Sequence, residues 1–166
     1  QVYEKRNVPA SAIAACEEVL RSPGVVPTPS FIHFLGTLYQ KAGRYNEARD
    51  RYVQAVDMDS TYAPALKDLG HLYVLAKQYD RASQVYLRYV ELDPDDIEAY
   101  VGLTESHGES GRYAQALQVA NKAMALDSTR ADVRLAYART ALRNRDKALR
   151  TRGADMYATL PDSLSL

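Results

Sequence analysis

The residues of this sequence best suited to chemistry are three histidines and one cysteine. His33, His71, His107 and Cys16 carry side chains that can bind zinc or serve as nucleophile and base. No two histidines have the spacing of an HxxxH pair, and no second cysteine or carboxylate completes a tetrahedral set. Cys16 has no histidine near it in sequence and reads as a small buried hydrophobic residue. His107 reads as a packed ring whose nitrogen is bonded locally, so we expect no metal and no cofactor.

Motifs for nucleotide binding and acyl transfer are missing from the sequence. There is no GxGxxG, no phosphate-binding loop and no GxSxG. The sequence therefore predicts no catalytic residue and no enzyme. The 21 basic and 21 acidic residues give a net charge of zero, which argues against nucleic-acid binding. No apolar run approaches the roughly 18 residues that span a bilayer, so we expect no membrane insertion by this segment.

A period of 34 residues organises the elements that must position any site. Four positions recur three times in register, namely Leu35, Leu69 and Leu103; Tyr45, Tyr79 and Tyr113; Ala48, Ala82 and Ala116; and Asp59, Asp93 and Asp127. A fixed period of this length indicates one supersecondary unit stacked on copies of itself.

Each unit reads as a helical hairpin. In residues 29–62, apolar residues at i, i+3, i+4 and i+7 mark the first helix: Ile32, Leu35, Gly36 and Tyr39. Gly43 suits a left-handed helix end, and a second helix follows. A hairpin with so large an apolar face must bury it against the next hairpin.

Small residues in the hairpin predict where its two helices approach closely. We expect Gly36 and Ala48 at the closest approach, with the rings of Tyr39 and Tyr52 filling the space beside it. Gly36→Leu should then cost at least about 1–3 kcal/mol through overpacking. Other tyrosines at repeat positions are also expected in the core: Tyr45, Tyr73, Tyr79, Tyr86 and Tyr113.

The unit Ile32-x-x-Leu35-Gly36-x-x-Tyr39, followed by Ala48-x-x-x-Tyr52-x-x-Ala55, resembles the tetratricopeptide repeat. Its second copy has Leu66-x-x-Leu69-Gly70-x-x-Tyr73. The resemblance implies an all-α fold, a right-handed α-α superhelix (solenoid) of stacked antiparallel helical hairpins. It covers residues 1–166 as a single domain, which we divide into a partial repeat at 1–26, full repeats at 29–62, 63–96 and 97–130, and a divergent or capping repeat at 131–166.

Two positions within the full repeats depart from the family pattern. Tyr89 replaces an alanine, and we expect it to reach the first helix of the third full repeat, with Gly102 making room. Thr104 replaces a glycine. Gly153 lies inside the last predicted helix, where it should weaken that helix by about 1 kcal/mol relative to alanine.

The resemblance also implies a binding surface. The first helices of such hairpins line a concave groove that holds a peptide or helix of another protein. The residues expected there are His33, Thr37, Gln40, Lys67, His71, Val74, Glu98, Val101, Glu105, Glu109, Arg139 and Arg143, with Ser30, Lys41 and Leu135 beside them. Charge along this list runs from basic to acidic to basic, which predicts a partner segment of mixed charge. The basic clamp for acidic chaperone tails is not expected, because its places hold His33, Thr37, Val101 and Glu105.

Basic residues dominate between Arg130 and Arg152. They form either a second binding surface or a solvated face whose charges pair across adjacent repeats, and the second interpretation is favoured.

The sequence thus predicts a protein–protein interaction scaffold. Two alternatives remain open: a chaperone similar to the class II chaperones of type III secretion, and a targeting or assembly arm of a larger enzyme or envelope complex. Self-association of the scaffold also remains open. Because the chain starts at Gln1 within a repeat, we expect a fragment of a longer protein or a mature form. The compartment stays open between cytoplasm and periplasm.

Overall fold

The computed structural model describes the backbone of residues 4–161 and the side chains of residues 10–161. The ends of the predicted first and last units, residues 1–3 and 162–166, lie outside the described residues. The described part is all-α, without a strand, and its helices are α1 Glu4–Arg21, α2 Pro29–Lys41, α3 Tyr45–Met58, α4 Ala63–Leu75, α5 Tyr79–Leu92, α6 Ile97–Glu109, α7 Tyr113–Leu126, α8 Ala131–Leu142 and α9 Lys147–Ala158. None of these helices is both long enough and apolar enough to cross a bilayer.

The helices recur with the predicted period of 34 residues, and each full repeat contains two of them. Turns between the paired helices use a left-handed residue at the same place in three successive repeats. Gly43 has φ 74°, Lys77 has φ 55° and Gly111 has φ 76°. The left-handed end predicted at Gly43 is confirmed, and Lys77 shows that this turn forms even where a β-carbon is present.

The described residues fall into two compact units that divide between Leu72 and Tyr73, within α4. The first unit contains α1, α2, α3 and the part of α4 up to Leu72. The second unit contains the rest of α4 and all helices from α5 to α9. The prediction of a single domain over residues 1–166 stays a prediction.

In the first unit, α2 packs against both α3 and α1. Ile32 and Leu35 of α2 are fully buried, as are Ala48 and Tyr52 of α3. A β-carbon built on Gly36 would lie 2.6 Å from Cε1 of Tyr52, well inside contact distance. The group that covers Gly36 is therefore the Tyr52 ring, and the predicted close approach of Gly36 to Ala48 stays a prediction.

The second unit is a run of packed pairs, in which α6 contacts α5, α7 and α8, and α8 contacts α7 and α9. Gly102 of α6 lies under the ring of Tyr86, since a β-carbon there would be 2.7 Å from Cζ of that ring. The hypothesis that Gly102 makes room for Tyr89 is therefore wrong. Both tyrosines belong to α5, and the period alone does not distinguish which ring reaches the glycine.

The Tyr89 ring does reach the third full repeat, as predicted, but at the start of its first helix. Its hydroxyl donates to Asp96 Oδ2 at 2.7 Å. Asp96 is the N-cap of α6, and its other carboxylate oxygen accepts from the Ala99 N–H at 3.1 Å. Burial, followed by the bonds to the carboxylates, raises the pKa of Tyr89 far above its usual range.

The last helix, α9, uses Gly153 for packing. A β-carbon at Gly153 would lie 2.9 Å from Ala141 Cβ and 3.0 Å from the carbonyl oxygen of Ala138, both in α8. The low helix propensity of glycine is therefore offset by a close approach that alanine would prevent. Asp146 caps α9, with its side chain accepting from the N–H groups of Ala148 and Leu149.

Two expectations about burial need correction. Tyr45, expected in the core, is 56% exposed, because it is the first residue of α3 and its ring extends from the hairpin turn. Cys16, expected to be buried, is partly exposed on α1.

Of the other predicted core tyrosines, Tyr39, Tyr52 and Tyr86 are buried, whereas Tyr73, Tyr79 and Tyr113 are partly buried.

Candidate functional site

A cavity of about 180 Å³ lies between α6 and α8 in the second unit. These two helices are the first helices of successive repeats. The cavity is lined from α6 by Val101, Thr104, Glu105, Gly108 and Glu109, and from α8 and its C-cap residue by Asp132, Leu135, Ala136, Arg139, Thr140 and Arg143. Five residues predicted for the groove are thus brought together here, namely Val101, Glu105, Glu109, Arg139 and Arg143.

The floor of the cavity is effectively apolar. Thr104 and Thr140 are buried, and their hydroxyls donate to carbonyl oxygens four residues earlier in their own helices, each at 2.8 Å. Gly108 is also buried, yet a β-carbon built on it would meet no atom within 4 Å. The missing side chain of Gly108 therefore helps create the cavity. With the threonine donors satisfied, the floor offers no unpaired hydroxyl to a ligand.

Ion pairs occupy part of the cavity rim. Arg143 Nη1 lies 2.6 Å from Glu109 Oε1, which joins the end of α8 to the end of α6. This hydrogen bond raises the pKa of the Arg143 guanidinium. Asp132 pairs with Arg130 at 2.6 Å, and this bond holds the pKa of the Asp132 carboxyl below its usual range. Glu105 is exposed, and no ion pair joins it to another described residue.

In the first unit, the predicted groove residues of α2 form a bonded network. His33 Nε2 donates to Asp68 Oδ2 of α4 at 2.8 Å, and the His33 side chain is only 17% exposed. The His33 ring also contacts the rings of Tyr52 and Tyr62, with centroid distances of 5.3 and 5.6 Å. Its backbone carbonyl accepts from the Thr37 hydroxyl at 3.1 Å. These contacts fix His33 between two helices.

Gln40 extends this network. Its side-chain oxygen accepts from the Tyr52 hydroxyl at 2.7 Å. Tyr52 is fully buried, and burial raises its pKa to about 12. His33, Thr37 and Gln40 are thus held by internal bonds, which gives this part of the predicted groove a structural role.

The other four predicted groove residues are not part of the cavity lining. Lys67 and His71 lie in the first unit, where Lys67 is partly buried and His71 is exposed. Val74 and Glu98 lie in the second unit, where Val74 is partly buried and Glu98 is exposed. Their assignment to a binding surface stays a prediction.

Sequence reasoning missed several residues that line the cavity: Thr104 and Gly108 of α6, and Asp132, Ala136 and Thr140 of α8. The signal that could have found them is a pair of small residues four positions apart on each helix. Thr104 and Gly108 share one face of α6, as Ala136 and Thr140 share one face of α8. Small residues facing each other leave a gap between the two helices.

His107 is a packed residue, as predicted. It is 6% exposed, and Arg112 Nε donates to its Nδ1 at 3.2 Å. Burial lowers the pKa of His107, and the Arg112 charge lowers it further. Among residues of the described range, no group of three or more histidine, cysteine or acidic side chains is arranged to hold a metal ion.

The C-terminal basic residues engage other parts of the second unit. Arg143 pairs with Glu109, Arg134 donates to the Thr159 hydroxyl, and the Arg152 guanidinium lies 5.5 Å from the centre of the Tyr137 ring. The pair between Arg143 and Glu109 spans adjacent repeats. These contacts support the interpretation that the basic charges are used within the fold.

Comparisons with known proteins agree with this architecture. A family model described as tetratricopeptide repeat matches residues 39–105. A solved MamA structure, the RS-1 ArsTM double mutant, is 20% identical with a TM-score of 0.81, and the match covers 92% of this chain and 83% of that one. MamA from Desulfovibrio magneticus RS-1 is 19% identical with a TM-score of 0.78, covering 90% and 82%.

A tetratricopeptide repeat protein from Parabacteroides merdae shares the fold as well. It is 20% identical with a TM-score of 0.74, and the match covers 90% of this chain and 66% of that one. No curated protein matches the sequence. At these identities the solved structures show the fold, and they confirm the predicted all-α solenoid class. The tetratricopeptide repeat model matches residues 39–105, and the solved structures show that the chain shares the helical-hairpin fold of such proteins.

Proposed function

We propose that this chain is a protein–protein interaction scaffold that holds a segment of a partner protein against α6 and α8. One observation carries the proposal, namely the cavity with an apolar floor between these two helices. The cavity is partly open to solvent, and small residues of both helices leave room in it for a side chain. A concave apolar site rimmed by polar groups is the usual form of a binding site.

The polar rim supports a peptide-like occupant in particular. Glu105, Glu109, Arg139 and Arg143 surround an apolar floor, and a protein segment offers apolar and charged side chains at short spacing. The pair between Arg143 and Glu109 bridges one end of the cavity. Arg143 and Glu109 therefore neutralise each other's charge. The sequence alone had counted both charges as available to a partner of mixed charge.

A display selection with matched variants tests the proposal. Gly108→Leu places a side chain in the cavity without an initial clash, since no atom lies within 4 Å of the added β-carbon. Gln118→Leu introduces the same side chain at an exposed position of α7. Random peptides displayed on phage are selected on the wild type, and the enriched peptides are then measured on both variants.

We expect enriched peptides to lose about tenfold or more in affinity on Gly108→Leu, which is the effect of excluding one buried aliphatic side chain. The same peptides should bind Gln118→Leu and the wild type equally. Circular dichroism of both variants verifies that they are folded. Peptides that bind Gly108→Leu as well as the wild type would show that the cavity is not the docking site.

The two alternatives stay hypotheses with their own tests. A secretion chaperone must solubilise an apolar translocator-like protein when the two are co-expressed. A targeting or assembly arm requires a catalytic or envelope domain in the full-length reading frame.

A further inference from the structure

We propose that the segment held between α6 and α8 presents one aliphatic or aromatic side chain to the cavity and a lysine or arginine to Glu105. This inference rests on the proposed function and specifies the chemistry of the partner. The inference assigns recognition of the apolar side chain and recognition of the cation to two different parts of this protein. The cavity floor selects the apolar side chain, and the Glu105 carboxylate selects the cation.

The cavity volume sets the size of the apolar group. An engineered apolar cavity of about 150 Å³ in another protein binds benzene, a six-carbon ring. The cavity between α6 and α8, at about 180 Å³, therefore has room for one leucine, isoleucine, methionine or phenylalanine side chain. Because Thr104 and Thr140 donate to backbone carbonyls, no donor on the floor would be left unpaired beneath such a group.

The charges of the lining decide the second component. Three carboxylates and two guanidiniums line the cavity. Glu109 is paired with Arg143 and Asp132 is paired with Arg130, whereas no ion pair joins Glu105 to a described residue. The rim therefore carries an acidic group available to a partner. In α5, burial and then the Glu109 and Glu105 carboxylates raise the pKa of Tyr79.

The spacing of the two components follows from the helix. Glu105 and Gly108 are three residues apart in α6, so they lie one turn apart on the same face. A partner residue that fills the gap at Gly108 places its neighbours in the chain close to Glu105. We expect the basic residue within about four positions of the apolar anchor, which covers both extended and helical segments.

Parallel selections on charge variants test the inference. Random peptides displayed on phage are selected on the wild type, on Glu105→Lys and on Glu91→Lys. Glu91 is an exposed glutamate of α5 outside the cavity lining, so its variant makes the same charge change elsewhere. The enrichment of each residue type at each distance from the apolar anchor is counted by sequencing.

Selection on the wild type and on Glu91→Lys should enrich lysine or arginine near an aliphatic or aromatic residue. Selection on Glu105→Lys should enrich aspartate or glutamate at the same distance and retain the apolar anchor. A synthetic peptide from the wild-type selection should bind Glu105→Lys about tenfold more weakly, and should bind Glu91→Lys normally.

Two results would overturn the inference and are distinguishable from each other. If the peptides are sensitive to Gly108→Leu but show no basic residue, or keep it on Glu105→Lys, the assignment of Glu105 fails while the docking site stands. If no selected peptide is sensitive to Gly108→Leu, the proposed function and this inference fail together.

Discussion

Two glycines of α6 should respond in opposite directions to the same substitution. Gly102 lies under the Tyr86 ring, and a β-carbon there would be 2.7–2.8 Å from three atoms of that side chain. Gly108 faces the cavity, and a β-carbon there would meet no atom within 4 Å. Gly102→Ala and Gly108→Ala therefore both raise helix propensity, but they change packing differently.

The magnitudes follow from these two effects. Replacing glycine by alanine inside a helix stabilises it by about 1 kcal/mol, and we expect less at Gly108 because it is near the end of α6. Overpacking in a close-packed site costs about 1–3 kcal/mol. Tyr86 is only 3% exposed, so its ring has little free space in which to move. Gly102→Ala should thus destabilise by about 1 kcal/mol net, whereas Gly108→Ala should stabilise by about 0.5–1 kcal/mol.

Urea unfolding followed by circular dichroism measures both free energies against the wild type. Thermal melts should separate the two variants by about 3–8 °C, with the wild type between them, because 1 kcal/mol shifts the melting temperature of a chain of this size by about 2–4 °C. The reasoning about Tyr86 is refuted if Gly102→Ala equals or exceeds the wild type. A destabilised Gly108→Ala would show that the cavity has no room for a methyl group.

Three further predictions use other parts of the fold. Stability should fall as the pH drops below 6.5, because burial lowers the pKa of His107 and the unfolded chain therefore takes up the proton first. His107→Gln should reduce this loss of stability, as measured by urea titrations above and below pH 6.5. Between pH 10.0 and about 12 stability should fall again, because the unfolded tyrosine ionises near 10.0 while burial raises the pKa of Tyr52 to about 12. Tyr52→Phe should reduce this loss of stability in urea titrations at about pH 10 and above. Asp96→Ala should cost about 1–2 kcal/mol in urea unfolding by removing both the α6 cap and a bond to buried Tyr89, while Asp96→Asn should retain the cap and cost less.

The period of the sequence was sufficient to predict the helical hairpins, because the pattern that defines them is local. Leu35 and its copies mark the buried stripe of each first helix, and Gly43 marks the turn. The same turn at Lys77 has no such mark, since lysine adopts a left-handed backbone there without a sequence signal. The left-handed turn at Lys77 therefore follows from its position in the repeat and not from its residue type.

Contacts between helices were harder to predict than the helices themselves. The sequence showed that α5 carries tyrosines at positions 86 and 89 and that α6 carries a glycine at 102, but pairing them requires the rotation of each helix about its axis. Gly153 illustrates the same difficulty. The low helix propensity of glycine predicted a weak α9. In the structure Gly153 contacts α8 so closely that a side chain at this position would not fit.

The candidate site was predictable in its charges and unpredictable in its shape. Glu105, Glu109 and Arg143, which the sequence predicted for a groove, all line the cavity, and their role in binding stays a prediction. The cavity depends on the volumes of small residues from two helices at once, and Gly108 contributes to it by what it lacks. His33 shows the converse, because a residue on the predicted groove face is held by Asp68 and two rings.

The dissociation constant of one selected peptide tests the central claim most directly. A peptide enriched on the wild type is synthesised, labelled and titrated by fluorescence anisotropy with the wild type, Gly108→Leu and Gln118→Leu. Docking between α6 and α8 predicts binding about tenfold or more weaker on Gly108→Leu and unchanged on Gln118→Leu. Equal dissociation constants for all three proteins would contradict it.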